Sequence, residues 1–334
     1  MKILYIDLGV TDFAEDYSIS PRGYGGAPVF ARFAKEKWNA DGNVFKILAQ
    51  PGNFFSLTKG ENNEACIAMT WEALEKARSG FPIDLLYPEY SQYDVFMFHH
   101  DCMPIPVYNP RIKIVHWSLS GKSDAGHFSN HLELLYRADQ KPEWVGQRIR
   151  NVTLGKPIKS EPPQKVAREK SIFQCSRHDE FMNSALIAKK CIESKLKGVF
   201  AGPIQKGCNL LEYIDNNSTF YIGSISEGIK LKYIEEVAAT TYLHRWDTPF
   251  NQSAIESLGC GTPILCAEVG FFKTLVKPGS NGYFIDESSN ISEFVDKCLN
   301  LNPKDCWETA LDYSVDKMLD SFKKALDELM NEND

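Results

Sequence analysis

Several features that would assign a chain of 334 residues to a special class are missing from this sequence. No apolar run approaches the roughly 20 residues that span a bilayer. The first residues, Met1 to Asp7, lack the long apolar region and the small-residue cleavage site of a signal peptide. The nine cysteines include no CxxC pair and no Cys/His spacing typical of metal sites. These absences predict a cytoplasmic protein with reduced thiols and without a metal centre.

Concentrated positive charge is missing as well. The formal net charge is −7, and the lysines and arginines are scattered along the chain. A protein whose affinity depends on nucleic-acid phosphates usually carries clustered basic residues, so nucleic acid is a disfavoured partner. A local basic groove and peripheral contact with a membrane both stay open.

What the sequence does contain is two alternating patterns of apolar runs and helical periodicities. Hydrophobic residues make up 43% of the chain, and its length exceeds what one core accommodates. In the first half, we predict a helix beginning near Ala27 and strands at 3–8, 44–49, 94–98 and 113–117. In the second half, we predict strands at 171–175, 198–201, 219–222, 240–243 and 263–267, and helices near 184–194, 228–238, 253–258 and 315–330. Alternation of this kind indicates parallel sheets covered on both faces.

A change of composition separates the two patterns. Residues 156–165 are polar and contain three prolines, which is typical of a linker. We therefore predict a first domain at 1–160, a second domain at 161–310 and a C-terminal helix within 311–334. In doubly wound domains the ligand site lies at the carboxyl ends of the strands.

The segment from Asp247 to Ile264 is the most informative stretch of the sequence. It predicts a loop, a short helix capped by Asn251, a glycine-containing stop at Gly259 and Gly261, and a buried strand. The amino end of such a helix offers unpaired N–H groups and positive dipole character, which suit a diphosphate. Glu256, one and a half turns into the helix, is placed to accept hydrogen bonds from sugar hydroxyls.

This segment resembles the signature of the retaining glycosyltransferases of family 4. Glu256 and the run from Cys260 to Pro263 match the family pattern, while Thr248 stands where the family has its first Glu. The later residues from Gly270 to Val276 and from Gly282 to Ile285 resemble the family's closing motif. The resemblance implies a GT-B fold, in which two Rossmann-like domains face a cleft and the C-terminal helix packs back on the first domain.

The resemblance also implies roles for individual residues. Arg177 would bind the diphosphate. Asn183 stands where the family has a second, phosphate-binding cation, and Lys189 or Lys206 could supply the missing charge. His116 would contact the donor sugar. The alternative interpretation, a core histidine hydrogen-bonded to the backbone, is supported nearly as well. Glu256 would bind the nucleotide ribose. The full predicted donor-binding set is Gly25, Gly26, Asn183, Thr248, Phe250, Asn251, Gln252 and Glu256, with His116 and Arg177 as catalytic residues.

The activity that follows is metal-independent, cofactor-free transfer of a sugar with retained anomeric configuration. The donor would be a nucleotide diphosphate sugar, with uridine diphosphate favoured, and the acceptor a glycan or glycolipid. Two alternatives stay open: a transferase acting on a hydroxylated DNA base, and a non-catalytic protein that binds nucleotide sugar or glycan.

Overall fold

The chain forms two compact units. A computed structural model describes residues 1–7, 34, 37–40, 42–49, 66–68, 70–99, 107–118, 131–135, 148–164, 167–248 and 250–331. The first unit contains the described residues up to Leu154 together with those from Val315 onward, and the second unit contains residues 155–314. The chain thus passes from the first unit to the second after Leu154 and returns after Ser314.

The first unit is built on a seven-stranded parallel sheet with the order β3-β2-β1-β4-β5-β6-β7. Its central strands are the buried apolar runs predicted from the sequence, because a strand covered on both faces needs an apolar side chain at nearly every position. Three short strands, β3, β6 and β7, were not predicted, since β3 has only three residues and β6 and β7 carry charged residues. The strands are β1 Lys2–Asp7, β2 Val44–Ala49, β3 Cys66–Ala68, β4 Val95–His99, β5 Lys113–Ser118, β6 His131–Leu135 and β7 Arg148–Asn151.

Two described helices, α1 (Trp71–Arg78) and α2 (Ile83–Leu86), and a 3₁₀ turn at Pro88–Tyr90 precede β4. Thr70 caps α1, since its hydroxyl accepts a hydrogen bond from the Ala73 N–H at 3.1 Å. Residue 34 and residues 37–40 are helical as well. The predicted start of that helix near Ala27 lies outside the described residues.

The C-terminal helix, Val315–Asn331, belongs to the first unit. Phe322 stacks on Trp38 with ring centroids 5.1 Å apart and on Trp117 at 6.0 Å. At its far end, Arg150 Nε donates to Glu328 Oε2 at 2.6 Å. The apolar stripe predicted for this helix is confirmed, because Met318, Phe322, Ala325 and Leu329 are all buried.

The second unit is built on a six-stranded parallel sheet with the order β10-β9-β8-β11-β12-β13. Five of its strands were predicted within a few residues. The sixth, β13, was not predicted as a strand, because its three residues contain a glycine and only partly buried aromatics. The strands are β8 Glu169–Cys175, β9 Lys197–Ala201, β10 Thr219–Tyr221, β11 Val237–Tyr242, β12 Ile264–Cys266 and β13 Gly282–Phe284.

Helices cover both faces of this second sheet. Leu265 packs in a cluster with α3 and α7 residues, whereas its strand neighbours Ile264 and Cys266 pack with α5 and α8 residues. The predicted helix at 228–238 is too long, because Val237 and Ala238 already lie in the buried strand β11. The helices are α3 Ser184–Glu193, α4 Glu227–Glu236, α5 Gln252–Gly259, α6 Phe272–Leu275, α7 Ile291–Cys298 and α8 Pro303–Leu311.

The prediction of a linker at 156–165 is wrong for its first residues, which belong to the second unit and pack inside it. The Lys156 N–H donates to the Tyr313 carbonyl at 2.9 Å, and Trp307 Nε1 donates to the Lys159 carbonyl at 2.9 Å. The side chain of Ile158 lies against Gly259 in α5, where an added Cβ would come within 2.9 Å of its Cδ1 atom. Gly259 therefore serves close packing, while Gly261, at φ +72°, supplies the left-handed turn.

Cys191, Cys260, Cys266 and Cys298 are buried, as predicted for small core residues. Among the described residues, no helix is both long and apolar enough to cross a membrane.

Candidate active site

The loops that follow β8 and β11 meet at the carboxyl edge of the second sheet. β8 and β11 are neighbouring parallel strands, so both of these loops emerge at the same edge. They are joined directly, because the Arg245 N–H donates to the Phe181 carbonyl at 3.0 Å. The predicted donor residues of the second unit lie in these two loops and in the start of α5.

Arg177 lies two residues beyond the end of β8. Its side chain is 55% exposed, and its Nε and terminal guanidinium nitrogens both contact Asp179 Oδ2 at 3.0 Å. A guanidinium has five N–H donors, so this pair leaves three of them for a ligand. The other Asp179 oxygen accepts from the backbone N–H groups of Phe181 and Met182, which fixes the loop.

Asn183 immediately precedes α3 and has left-handed backbone geometry, with φ of 52°. Its buried side chain donates from Nδ2 to the Leu243 carbonyl at 3.0 Å, which links the β8 loop to the end of β11. Asn183 also lines a cavity of about 290 Å³. Of the two lysines considered as replacements for a cation here, Lys189 lies 3.8 Å from Glu193, and Lys206 is exposed.

The amino end of α5 is organised as predicted. Asn251 is its N-cap, and its side-chain oxygen accepts from the Ala254 N–H at 2.9 Å. Thr248 is buried and donates its hydroxyl to the Phe250 carbonyl at 3.0 Å. The Phe250 ring packs on Phe271 with centroids 4.9 Å apart. These contacts hold the loop in place and so fix the orientation of the first N–H groups of α5.

Glu256 is held between two lysine side chains. Its Oε1 atom lies 2.5 Å from Lys156 Nζ, and its Oε2 atom lies 2.7 Å from Lys230 Nζ. Lys230 also pairs with Glu227 at 2.6 Å, and Lys156 reaches Gln252 Oε1 at 3.4 Å. The Glu256 side chain is 4% exposed, so its carboxylate lies inside the second unit rather than on an open surface.

Burial alone would raise the pKa of the Glu256 carboxyl, but the charges and hydrogen bonds of Lys156 and Lys230 outweigh it and lower that pKa. Burial likewise opposes the charge of Lys230, yet Glu256 and Glu227 raise its pKa above the usual value. Glu256 and Lys230 are therefore both charged at neutral pH. No pattern along the chain indicates the two lysines, because each lies far from Glu256 in sequence.

His244 is a buried residue of this edge that the sequence analysis did not single out. Its ring packs edge-on against Tyr242 and Phe272, and neither ring nitrogen has a hydrogen-bond partner among the described residues. Burial lowers the pKa of His244 to about 4, with the charge of Asp179 opposing this shift. The imidazole is consequently neutral at physiological pH.

The remaining predicted residues lie in the first unit or outside the described residues. His116 is fully buried in β5, where it pairs in register with Phe98 and Glu133. The strand continues two residues beyond His116, to Ser118. Gly25 and Gly26 lie outside the described residues.

The segment that forms much of this edge of the second sheet matches a known protein family. Residues 183–305 match the family model described as "Glycosyl transferases group 1". The resemblance of this segment to glycosyltransferases is therefore confirmed. The group 1 segment contains six of the predicted donor residues, from Asn183 to Glu256, whereas Arg177 and His116 lie before it. No curated protein sequence matches the chain.

Solved structures of similar fold extend over nearly the whole chain. Sucrose-phosphate synthase from Thermosynechococcus elongatus aligns with a TM-score of 0.73 at 13% identity and covers 100% of both chains. AviGT4, a glycosyltransferase involved in avilamycin A biosynthesis, aligns at 0.67 with 14% identity over 99% of this chain and 98% of its own. HepE of Anabaena in complex with UDP-glucose aligns at 0.65 with 14% identity over 98% and 100%. The predicted GT-B fold, with two doubly wound parallel sheets, is thus confirmed.

Proposed function

We propose that this protein is a retaining glycosyltransferase that moves a sugar from a nucleotide diphosphate donor to a hydroxyl of a glycan or glycolipid. The observation that carries the proposal is the match of residues 183–305 to the group 1 glycosyltransferases. This segment includes the loop and helix on which the donor site was predicted. A uridine diphosphate donor is preferred, because HepE, a structural neighbour, is described in complexes with UDP and with UDP-glucose.

The proposed diphosphate site is the amino end of α5 together with Arg177. The first N–H groups of a helix and a guanidinium both bind phosphate oxygens. When the bond from the anomeric carbon to the diphosphate breaks, negative charge grows on the leaving group. Fixed donors stabilise that charge without a divalent ion, so we propose transfer without a metal or another cofactor.

Glu256 is proposed to accept hydrogen bonds from the nucleotide ribose. An ionised carboxylate has about four lone-pair positions. Lys156 and Lys230 each take one, and the side chain is 4% exposed, so ribose binding requires the side chains that cover the carboxylate to move. The two ammonium groups keep the carboxylate ionised and fix its orientation, which makes them part of the proposed donor site.

His116 is proposed to contact the donor sugar, and Gly25 and Gly26 to approach the donor phosphate. Phe250 and Gln252 complete the donor set on the α5 side. We further propose a cytoplasmic location for the enzyme.

A non-catalytic nucleotide-sugar-binding protein is the second candidate. It is favoured by the internal hydrogen bonds of Thr248 and Asn183, which tie both side chains to backbone carbonyls. At these two positions the family resemblance would place a charged residue that meets the donor.

The experiment that separates the candidates is an assay of UDP release from a panel of UDP-sugars, with and without sugar acceptors. A transferase releases UDP faster when a suitable acceptor is present, and the new glycoside keeps the anomeric configuration of the donor. Binding of the UDP-sugar without release identifies the non-catalytic alternative. No binding of any nucleotide sugar contradicts both.

A further inference from the structure

Two aromatic side chains are exposed together at the carboxyl edge of the second sheet. Phe181, in the loop after β8, and Trp246, in the loop after β11, are each 45% exposed. Their ring centroids lie 5.9 Å apart, with an angle of 38° between the planes. Large aromatic surfaces left in contact with solvent at a ligand-binding edge commonly mark a recognition surface.

The backbone holds this aromatic pair in place. The Phe181 carbonyl accepts from the Arg245 N–H at 3.0 Å, and the Phe181 N–H donates to Asp179 Oδ1 at 3.0 Å. Both loops are therefore fixed at the residues that carry or adjoin the rings. A ligand that stacks on these rings does not have to order a loop first, which lowers the entropic cost of binding.

The cavity of about 290 Å³ is lined by Asn183 and Arg245, which stand two residues after Phe181 and one residue before Trp246 in sequence. Its charged lining consists of one guanidinium, Arg245, and three carboxylates, Glu268, Asp286 and Glu287. Arg245 lies 3.7 Å from Glu287, so its charge is already partly balanced. The excess of carboxylates repels an anion such as phosphate and provides acceptors for hydroxyl groups.

We propose that Phe181 and Trp246 stack on a pyranose ring whose hydroxyl groups are bound in the adjoining cavity by Arg245 and the carboxylates. A pyranose has an apolar C–H face and a rim of hydroxyls that donate and accept hydrogen bonds, which matches a flat aromatic surface beside a polar cavity. This inference rests on the proposed function and assigns to it a sugar-binding surface outside the predicted donor set. The ring belongs either to the donor or to the acceptor glycan.

The test measures binding of glucose, galactose, maltose, UDP and UDP-glucose to the full chain by saturation-transfer NMR and calorimetry. Trp246→Ala and Phe181→Ala should each weaken sugar binding about tenfold, the effect of losing one aromatic contact. Phe81→Ala removes an aromatic side chain of equal exposure (44%) from the first unit and should leave sugar binding unchanged. Glu268→Gln should weaken sugar binding without changing the fold, since Glu268 is exposed.

The different ligands distinguish the sources of the ring. Weakened binding of glucose or galactose and of UDP-glucose, with UDP unaffected, assigns the surface to the donor sugar. Weakened binding of maltose alone assigns it to the acceptor. Weakened binding of UDP itself means that the rings stack on the base, which overturns the inference.

Failure of this inference and failure of the proposed function are separable. If UDP and UDP-glucose bind but Trp246→Ala and Phe181→Ala behave like Phe81→Ala, the sugar surface is refuted and the donor site stands. If the sugars bind through the two rings but no nucleotide binds, the proposed donor site is refuted and the sugar surface stands. The absence of any sugar binding to the unmodified chain also refutes the sugar surface.

Discussion

Lys156 Nζ lies 2.5 Å from Glu256 Oε1, so a residue from the predicted linker is a direct partner of the carboxylate in α5. Lys230 holds the other oxygen of the same carboxylate. Burying a carboxylate between two ammonium groups costs desolvation free energy. Removing one of the charges costs more, because the remaining charges then lack a partner. This cluster connects the stability of the second unit to the proposed donor site.

Replacing Glu256 with glutamine should lower the free energy of unfolding by about 3 kcal/mol, the usual cost of leaving buried charges unpaired. Urea unfolding followed by the circular dichroism of the full chain measures this loss. Glu293→Gln removes the partner of an exposed lysine, Lys297, and should leave stability unchanged. Equal stabilities for the two variants would contradict the buried charge cluster.

A second prediction concerns pH and His244. The unfolded histidine binds a proton below about pH 6.5, whereas the folded pKa is about 4. Between these values the unfolded state binds more protons, so stability is complete above pH 6.5 and falls as the pH drops toward 4. One such histidine contributes a slope of about 1.4 kcal/mol for each pH unit.

His244→Phe should flatten this dependence and preserve stability at pH 7, because the ring packs on Tyr242 and Phe272 without hydrogen bonds to described residues. His178, whose pKa burial also lowers to about 4, should maintain part of the slope in the variant. Thermal unfolding at pH 4.5, 5.5 and 7 provides the measurement. An unchanged slope in His244→Phe would rule out a buried neutral imidazole at this position.

Gly261 provides a third prediction. It has a φ of +72°, and an added Cβ would lie 2.5 Å from Pro163 Cγ and 2.8 Å from Pro303 Cβ. Gly261→Ala should therefore cost about 3 kcal/mol, from backbone strain and overpacking together. Gly279 has a similar φ of +82° but open space around it, so Gly279→Ala should cost only about 1 kcal/mol. A matching loss in both variants would show that the prolines do not crowd the turn.

The sequence predicted those parts of the structure that depend on short-range signals. The strands β1, β2, β4 and β8 are buried apolar runs, and Asn251 caps a helix that begins one residue later. The doubly wound α/β class followed from such patterns, and the resemblance to glycosyltransferases followed from the motif around Glu256. Short strands with charged residues, such as β6 and β7, lack the apolar run that predicts a strand.

Long-range contacts could not be predicted in this way. The partners of Glu256 come from residue 156 and from α4, and no spacing along the chain connects them. The same holds for Phe181 and Trp246, which become neighbours only because β8 and β11 lie side by side. The linker prediction at 156–165 failed for the same reason, since polar composition does not reveal that Lys156 is buried against α5.

The capping residue of α5 gives a fourth prediction. Asn251→Ala removes the hydrogen bond to the Ala254 N–H and should cost about 1 kcal/mol of stability. Asn290, the N-cap of α7, accepts from Ser292 in the same way, so Asn290→Ala should cost a similar amount. Calorimetry with UDP should show weaker binding for Asn251→Ala alone, because the first turn of α5 then no longer holds its N–H groups in place. A comparable loss of affinity in Asn290→Ala would point to a general loss of stability instead.

The most direct test of the central claim is calorimetric titration of UDP into the full chain and into Arg177→Ala. Loss of charge-assisted hydrogen bonds to the diphosphate should weaken binding at least about tenfold. Lys297→Ala serves as the control. It removes an exposed cation on α7, remote from the proposed site, and should bind UDP like the unmodified chain. Tight binding to the unmodified chain and the control, with weak binding to Arg177→Ala, is the predicted result. Equal affinity in Arg177→Ala, or no binding of UDP to the unmodified chain, would contradict a diphosphate site formed by the amino end of α5 together with Arg177.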